Sequence, residues 1–337
     1  MSKFLISPKV AERFFKEIVV KTIFLPHHMY LQGYIQTTRS MAILLMSLLI
    51  MQLLTGCTGP DTHELSGHLL IVGSTALQPL ASVVRDLFQK QYPQVHIDVQ
   101  GGGSLQGLNA VTSHQADIGD SDVYADPAIY PDPNLTDHII CVIPFTMVVN
   151  PEVHIPSLTS QQIIDIFSTG KLHNWSQLGG PDRTIVPVVR PSTSGTRATF
   201  RKYILGGRDE KGKLLKTDSS TAVRDTVAQT PGGIGYLALS VLDSSVRAVA
   251  IDNYQPTHEN IANGHYAYWS YEHMYTLGDS NALISKYLDF MFTPPAQKLA
   301  QQLGYIPITE MKIPSTSSLS NNVIALSRTQ YPIQSEL

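Results

Sequence analysis

After about residue 67, segments whose apolar residues have the spacing of a strand alternate with segments whose apolar residues have the spacing of a helix. The run Leu69 to Val72 is short and apolar and ends at a Gly-Ser-Thr turn, which is typical of a buried strand. Segment 79–91 then repeats apolar residues at helical spacing, and Val95 to Val99 alternates as a second strand. The apolar positions of the intervening helix are Leu80, Val83, Val84, Leu87 and Phe88.

The same strand-then-helix order continues to about residue 303. This repetition predicts an α/β fold whose parallel sheet is covered by helices on both faces, with ligands bound outside the carboxyl ends of the strands. Further strands are expected at 117–119, 139–149, 185–190, 232–236 and 246–251, and helices after 104 and at 158–167, 195–205, 282–292 and 295–303.

An apolar run at 41–54 is too short to span a membrane as a helix and follows a positive charge at Arg39. It ends in Leu54-Thr55-Gly56-Cys57, which resembles the bacterial lipobox. We expect residues 1–56 to be a leader, Cys57 to be lipidated and 57–67 to be a tether. The competing interpretation is an apolar core helix that happens to end in Gly-Cys.

Composition narrows the class of protein. The chain has 337 residues, a net charge of −3 and no basic run, which disfavours a nucleic-acid partner. Its two cysteines and twelve histidines show no metal-ligand spacing, so we expect neither a metal nor another cofactor. The Ser-, Thr- and Asn-rich residues 313–337 are expected to be loosely ordered.

Four loops carry the candidate chemistry: 73–76, 101–104, 120–122 and 190–197. Glycines let the backbone approach a ligand closely, Ser and Thr hydroxyls donate hydrogen bonds, and helix N-termini offer free N–H groups to an anion. Each loop taken alone is more often a turn or a helix cap. Together they favour a site for a tetrahedral oxyanion.

Arg190 and Asp122 refine this prediction. Arg190 ends an expected strand and supplies a planar cation suited to two hydrogen bonds with an oxyanion. Asp122 repels a fully ionised anion such as sulfate but accepts a hydrogen bond from an anion that retains a proton, such as hydrogen phosphate.

Residues 67–309 resemble the phosphate-binding proteins of bacterial Pst-type ABC phosphate transporters. The resemblance rests on the order and spacing of the strings 72–80, 100–104, 117–122, 166–175, 189–197 and 232–236. It implies a type II periplasmic-binding-protein fold of two lobes with an interlobe ligand cleft. The lobes would be 68–147 plus 262–312, and 148–261.

The resemblance also implies site residues and partners. The residues that match the family's phosphate contacts are Thr75, Ser104, Asp122, Arg190, Ser194, Gly195 and Thr196, and Ser74 joins them as a hydroxyl at a helix start. Ser192 departs from the pattern, because many relatives have an acidic residue there that steadies the arginine. The implied partners are phosphate, a membrane permease with its ATPase, and a membrane surface, for a lipid-anchored monomer on the outer face of the bacterial cytoplasmic membrane.

Three alternatives to a phosphate receptor remain. The ligand could be another oxyanion, arsenate or sulfate. The chain could be a phosphatase or acyl hydrolase that uses Ser194, although no Gly-x-Ser-x-Gly motif is present. It could also be a structural or signalling lipoprotein that keeps the fold without transport.

Overall fold

The structure is a computed structural model that describes residues 65–278 and 281–312. The expected leader 1–56, the lipidation site Cys57, the tether as far as residue 64 and the tail 313–337 lie outside these residues. The predictions made for them therefore remain predictions.

The described residues form a mixed α/β fold built on one sheet. The strands are β1 Gly67–Gly73, β2 Val95–Gln100, β3 Ile118–Ser121, β4 Leu135–Val149, β5 Ser157–Leu158, β6 Val186–Val189, β7 Leu215–Lys216, β8 Gly233–Ala238, β9 Arg247–Ile251 and β10 Trp269–Leu277. The α-helices are α1 Gln78–Gln91, α2 Ser104–Thr112, α3 Ser160–Ile164, α4 Gly195–Thr199, α5 Ser220–Gln229, α6 His258–Ala262, α7 Ala282–Met291 and α8 Pro294–Gln302. Short 3₁₀ turns lie at Trp175–Leu178, Leu239–Val241 and Ile308–Glu310.

Two predicted helices are only partly α-helical. Segment 158–167 begins with the end of β5, and after α3 the chain continues as a π-helix at Asp165–Thr169. The helix expected at 195–205 is likewise α4 followed by a π-helix at Phe200–Ile204. The apolar spacing is compatible with either hydrogen-bonding pattern, so the sequence did not distinguish them.

The sheet is mixed, and the prediction of a parallel sheet is wrong at its centre. Its order is β2-β1-β3-β10-β4-β8-β6-β7, with β9 pairing both β4 and β5. The strand β10 is antiparallel to β3 and β4, and β4 is antiparallel to β8 and β9. Alternating element types do not reveal that β10 returns from the C-terminal part of the chain to lie between β3 and β4.

Strand β4 connects two groups of strands. Residues 135–144 pair with β10, whereas Phe145–Val149 pair with β8. We call β1, β2, β3, β10 and the beginning of β4 the first half of the sheet. The second half is β6, β7, β8 and the end of β4.

The central strands β3 and β10 and residues 140–149 of β4 are almost entirely buried. Strand β10 is buried on both faces for eight of its nine residues. Cys141 on β4 is 1% exposed. Trp175 is fully buried and donates from Nε1 to the Gly232 carbonyl oxygen at 2.9 Å, so it packs within the core. Within residues 65–278 and 281–312, no helix is both long and apolar enough to cross a membrane.

Candidate functional site

The loops singled out from the sequence meet where the two halves of the sheet face each other. Each predicted site residue is buried and belongs to one connected set of contacts. The set consists of Ser74, Thr75, Ser104, Asp122, Arg190, Ser194, Gly195 and Thr196.

Asp122 lies at the centre of this set, directly after β3, and is 2% exposed. Its carboxylate accepts one hydrogen bond from the hydroxyl of Ser74 and another from Thr196 Oγ1 at 2.7 Å. Its backbone N–H donates to Ser104 Oγ at 2.9 Å. Because a carboxylate has about four acceptor positions, two hydroxyl donors leave it able to accept a further proton.

Arg190 follows β6 and is held by four groups. Its Nη2 donates to Thr75 Oγ1 at 3.1 Å and to the Asp218 carbonyl oxygen at 3.0 Å, and its Nη1 donates to Ser220 Oγ at 3.2 Å. Its backbone N–H donates to the Tyr236 hydroxyl at 3.2 Å. Among the described residues, no acidic side chain forms an ion pair with this guanidinium.

Ser220 and Asp218 were not predicted as site residues. Ser192, where the resemblance implied an acidic residue, is exposed, whereas the buried Ser220 at the start of α5 contributes no charge but accepts a hydrogen bond from the arginine. The string Asp218-Ser219-Ser220 before a helical segment is a cap signal that the sequence contains. Its proximity to Arg190 depends on long-range packing and could not be read from that signal.

Burial changes the electrostatics of Arg190. Its side chain is 2% exposed, and loss of solvation lowers the pKa of the guanidinium, while Asp122 acts in the opposite direction. One donor, Nε, is buried and has no hydrogen-bond partner among the described residues. An unpaired donor on a buried cation is costly, so this group is suited to contact with an anion.

The first-half loops present hydroxyls and backbone at helix starts. Ser74 Oγ accepts from the N–H groups of Ala76 and Leu77, both at 3.0 Å, just before α1. Gly103 precedes α2 with φ +95°, and a Cβ there would lie 2.6 Å from the Thr193 carbonyl oxygen. Glycine is required at 103 both for its backbone conformation and because the opposite loop approaches so closely.

The second-half loop is built around α4. Ser194 caps the helix by accepting from the Arg197 N–H at 3.2 Å. A Cβ on Gly195 would collide with Ser104 Oγ and approach the Asp122 Cβ to 2.8 Å. The Tyr268 hydroxyl donates to the Thr196 carbonyl oxygen at 3.2 Å and so ties this loop to the segment that leads into β10.

The partly buried Arg197 and the buried Glu210 form an ion pair beside this loop. Arg197 Nε donates to Glu210 Oε2 at 2.6 Å, and the Tyr236 hydroxyl donates to Glu210 Oε1 at the same distance. Burial and the neighbouring Glu210 raise the pKa of Tyr236, so its proton is retained. Since the Tyr236 oxygen also accepts from the Arg190 N–H, this pair helps to position the arginine backbone.

Several hydrogen bonds join the two halves of the sheet. Besides the Thr196–Asp122 and Arg190–Thr75 bonds, the Leu105 N–H donates to the Thr193 carbonyl oxygen at 3.1 Å, and Ser240 Oγ donates to the Ala76 carbonyl oxygen at 3.1 Å. These hydrogen bonds hold the loops of the two halves together in a closed arrangement. In the described part of the chain no group of three or more His, Cys, Asp or Glu side chains is arranged to hold a metal ion.

Comparison with known proteins fits this geometry. Residues 59–295 match the family model of the PBP superfamily domain. The phosphate-binding protein PstS of Bacillus subtilis is 42% identical over 254 residues, which cover 74% of this chain and 84% of that protein. This chain belongs to the PstS family.

Other phosphate-binding relatives match a similar share of this chain. PstS of Pseudomonas aeruginosa is 27% identical over 72% of this chain and 84% of its own length. A solved structure from Clostridium perfringens has a TM-score of 0.68 at 26% identity. It is of a protein provisionally assigned as a phosphate ABC transporter substrate-binding protein, with phosphate bound. It is matched over 72% of this chain and 100% of its own. An ABC-type phosphate transport receptor from Vibrio cholerae has a TM-score of 0.58 at 27% identity, over 71% and 99% of the two chains.

Proposed function

We propose that this chain is an extracytoplasmic receptor that captures inorganic phosphate and delivers it to an ABC importer. In this proposal the lobes are 68–147 plus 262–312, and 148–261. Phosphate binds between them to Ser74, Thr75, Ser104, Asp122, Arg190, Ser194, Gly195 and Thr196. Membership in the PstS family and the buried, connected arrangement of these residues support the proposal.

The observation that carries the proposal is the buried Asp122 among hydroxyl donors and close to a buried arginine. If the ligand were a fully ionised anion, the Asp122 carboxylate would face a like charge in the site. Hydrogen phosphate donates its proton to Asp122, whereas sulfate cannot, so the same residue binds one anion and excludes the other.

Titration calorimetry of the purified chain with phosphate and with sulfate tests this function. We expect micromolar or tighter phosphate binding and much weaker sulfate binding. In Asp122→Asn the discrimination should fall by roughly tenfold or more, because the substitution removes the charge that repels sulfate. Asp86→Asn, at a side chain that is 65% exposed, is the matched control. Equal binding of both anions by the unmodified chain would exclude the proposed function.

Delivery requires a membrane location and partners. We propose that Cys57 carries the lipid anchor on the outer face of the cytoplasmic membrane, and that the receptor docks as a monomer on a permease with its ATPase. The lipobox-like string 54–57 supports the anchor. The intact mass of the mature protein tests it: a lipid-modified chain that begins at Cys57 is expected, and retention of residues 1–56 would contradict it.

The alternatives differ in what would support them. Arsenate also retains a proton at neutral pH and would satisfy Asp122, so competition between phosphate and arsenate in the same titration measures this selectivity. The hydrolase alternative needs a base beside Ser194. The hydroxyl oxygen of Ser194 instead accepts from the Arg197 N–H of its own helix, which supports a capping role.

A further inference from the structure

Glu272 is a buried acid that the proposed phosphate contacts do not use. It lies in the middle of β10 and has no solvent exposure. Neither carboxyl oxygen has a hydrogen-bond partner at normal length among the described residues. A carboxylate in such a position would be a desolvated charge without compensation, which a folded protein avoids by keeping the proton.

The sheet register places Glu272 beside the phosphate site. In the antiparallel pair of β10 and β3, His273 lies opposite Ser121 and Met274 lies opposite Asp120. β3 ends at Ser121, and continuing this register by one residue would place Glu272 opposite Asp122. Side chains of directly opposite residues are close neighbours, with Cβ atoms about 5 Å apart.

A second contact confirms this placement. Ser270 is two residues from Glu272 and therefore on the same face of β10. Its hydroxyl donates to the backbone carbonyl oxygen of Asp122. Glu272 therefore lies on the same face of β10 as Ser270, the residue that contacts Asp122.

The titratable groups around Glu272 favour a retained proton. Burial raises its pKa well above the ordinary value, and the charges of Asp122 and Asp120 from β3 raise it further, while the Ser74 hydroxyl acts in the opposite direction. Burial raises the pKa of Cys141 on β4 and of Tyr305, which follows α8, and the neighbouring Glu272 acts in the same direction on both. The facing groups are therefore acids or neutral groups.

We propose that Glu272 is a positioning residue that retains its proton and donates it in a hydrogen bond to the Asp122 carboxylate, so that the two side chains together carry one negative charge. The inference deepens the proposed phosphate site and rests on it for its role in binding. Together with Ser74 and Thr196, Glu272 is then a third donor that holds Asp122 in place as acceptor for the phosphate proton.

The charge of the pair has a direct consequence for anion capture. Two ionised carboxylates would outweigh the single positive charge of Arg190 and would repel phosphate. One shared proton leaves Asp122 and Arg190 balanced before the anion arrives. Glu272 therefore allows the site to contain an acceptor carboxylate and still bind an anion.

Infrared spectroscopy of the full chain without phosphate tests the proton itself. At neutral pH we expect a carbonyl-stretch band of a protonated carboxylic acid that disappears in Glu272→Gln. Asp120→Asn is the matched control for the other buried acid nearby, and a band assigned to Glu272 should persist in it. A difference spectrum between wild type and Glu272→Gln that contains only carboxylate bands would overturn the proposal.

Calorimetry tests the positioning role separately. Glu272→Gln keeps a hydrogen-bond donor of the same shape and should retain the phosphate affinity and the rejection of sulfate. Glu272→Met has a similar volume but no donor, and its phosphate affinity should fall about tenfold, the effect of losing one hydrogen bond to a charged group. Equal affinities of the folded Gln and Met variants would overturn the role. If wild type itself does not bind phosphate, the proposed function fails, whereas the infrared result still decides the protonation of Glu272.

Discussion

At the scale of single residues, the site depends on two buried side chains of opposite charge. Arg190 is fixed by Ser220, Thr75 and the Asp218 carbonyl oxygen, and Asp122 by two hydroxyls. Removing one partner of such a set leaves desolvated groups without hydrogen bonds, which costs more than the contact itself contributes. Substitutions that keep charge but change shape are therefore informative.

Arg190→Lys separates charge from geometry. Lysine retains the positive charge but cannot form the fork that reaches Ser220, Thr75 and the Asp218 carbonyl oxygen together. Phosphate affinity should fall by at least about tenfold, measured by calorimetry. Arg183→Lys, whose side chain is 54% exposed in a 3.7 Å ion pair, should leave affinity unchanged. Unaltered affinity in Arg190→Lys would show that charge alone suffices.

Asp120 should make folding stability depend on pH. Burial, followed by the charge of Asp122, raises the pKa of Asp120 well above its ordinary 3.8. The folded protein then holds a proton that the unfolded chain releases, so this residue lowers stability as the pH rises from 3.8 towards the folded-state pKa. Relative to wild type, Asp120→Asn should gain stability with rising pH, by at most about 1.4 kcal/mol per pH unit.

Denaturant unfolding of wild type and Asp120→Asn over a series of pH values above 4 measures this difference in the free energy of unfolding. Asp86→Asn is the exposed control and should show a constant difference. A constant difference for Asp120→Asn as well would mean that Asp120 is ionised in the folded protein.

At the scale of secondary-structure elements, the start of α4 must lie against the start of α2. Gly195 opens α4 and leaves no space for a side chain beside Ser104 and Asp122. The close approach of these two helix starts brings donors from both halves of the sheet to one point. The glycine therefore sets how far the two loops can close.

Gly195→Ala should weaken phosphate binding by holding the loops apart. Because the new methyl group meets packed atoms of Ser104 and Asp122, we expect a loss of roughly tenfold or more in affinity. Gly170→Ala is the contrasting variant, since Gly170 has φ +71° with open space around it. It should lower stability by about 1 kcal/mol through backbone strain without changing affinity. Calorimetry together with thermal unfolding distinguishes the two, and unchanged affinity in Gly195→Ala would contradict the packing argument.

The elements also show what the sequence could and could not predict. Apolar spacing predicted β1 and α1 closely, and the candidate loops together with the family resemblance predicted eight residues that the structure brings together. Strand direction was not accessible, because the antiparallel insertion of β10 depends on packing between distant segments. For the same reason Ser220 and Glu272 were missed: each is unremarkable in its local sequence and gains its place through contacts across the fold.

At the scale of the whole molecule, β4 is shared by both halves of the sheet and the chain passes between them again from β9 to β10. Among the described residues, side-chain and loop hydrogen bonds also link the halves. Such links can open while the strand remains intact, which is how receptors of this superfamily's architecture admit a ligand. Phosphate that contacts both halves should stabilise the closed arrangement.

Hydrogen exchange should report this stabilisation at one amide. The Leu105 N–H bonds across the halves to the Thr193 carbonyl oxygen, whereas the Gly103 N–H bonds within the first half to the Gly73 carbonyl oxygen at 2.9 Å. Phosphate should slow exchange at Leu105 more than at Gly103, as followed by nuclear magnetic resonance. Equal slowing at both amides, or none at either, would contradict closure between these loops.

The burial of Cys141 has a practical consequence for observing the protein at work. Because this thiol is 1% exposed, it should react slowly with maleimide dyes in the folded protein. With Cys57 replaced by serine, a cysteine introduced at the exposed position 192 would be the accessible thiol of the chain. Position 192 adjoins Thr193, whose carbonyl oxygen accepts a hydrogen bond from the other half of the sheet. The emission of an environment-sensitive fluorophore attached at position 192 should therefore change when the two halves close.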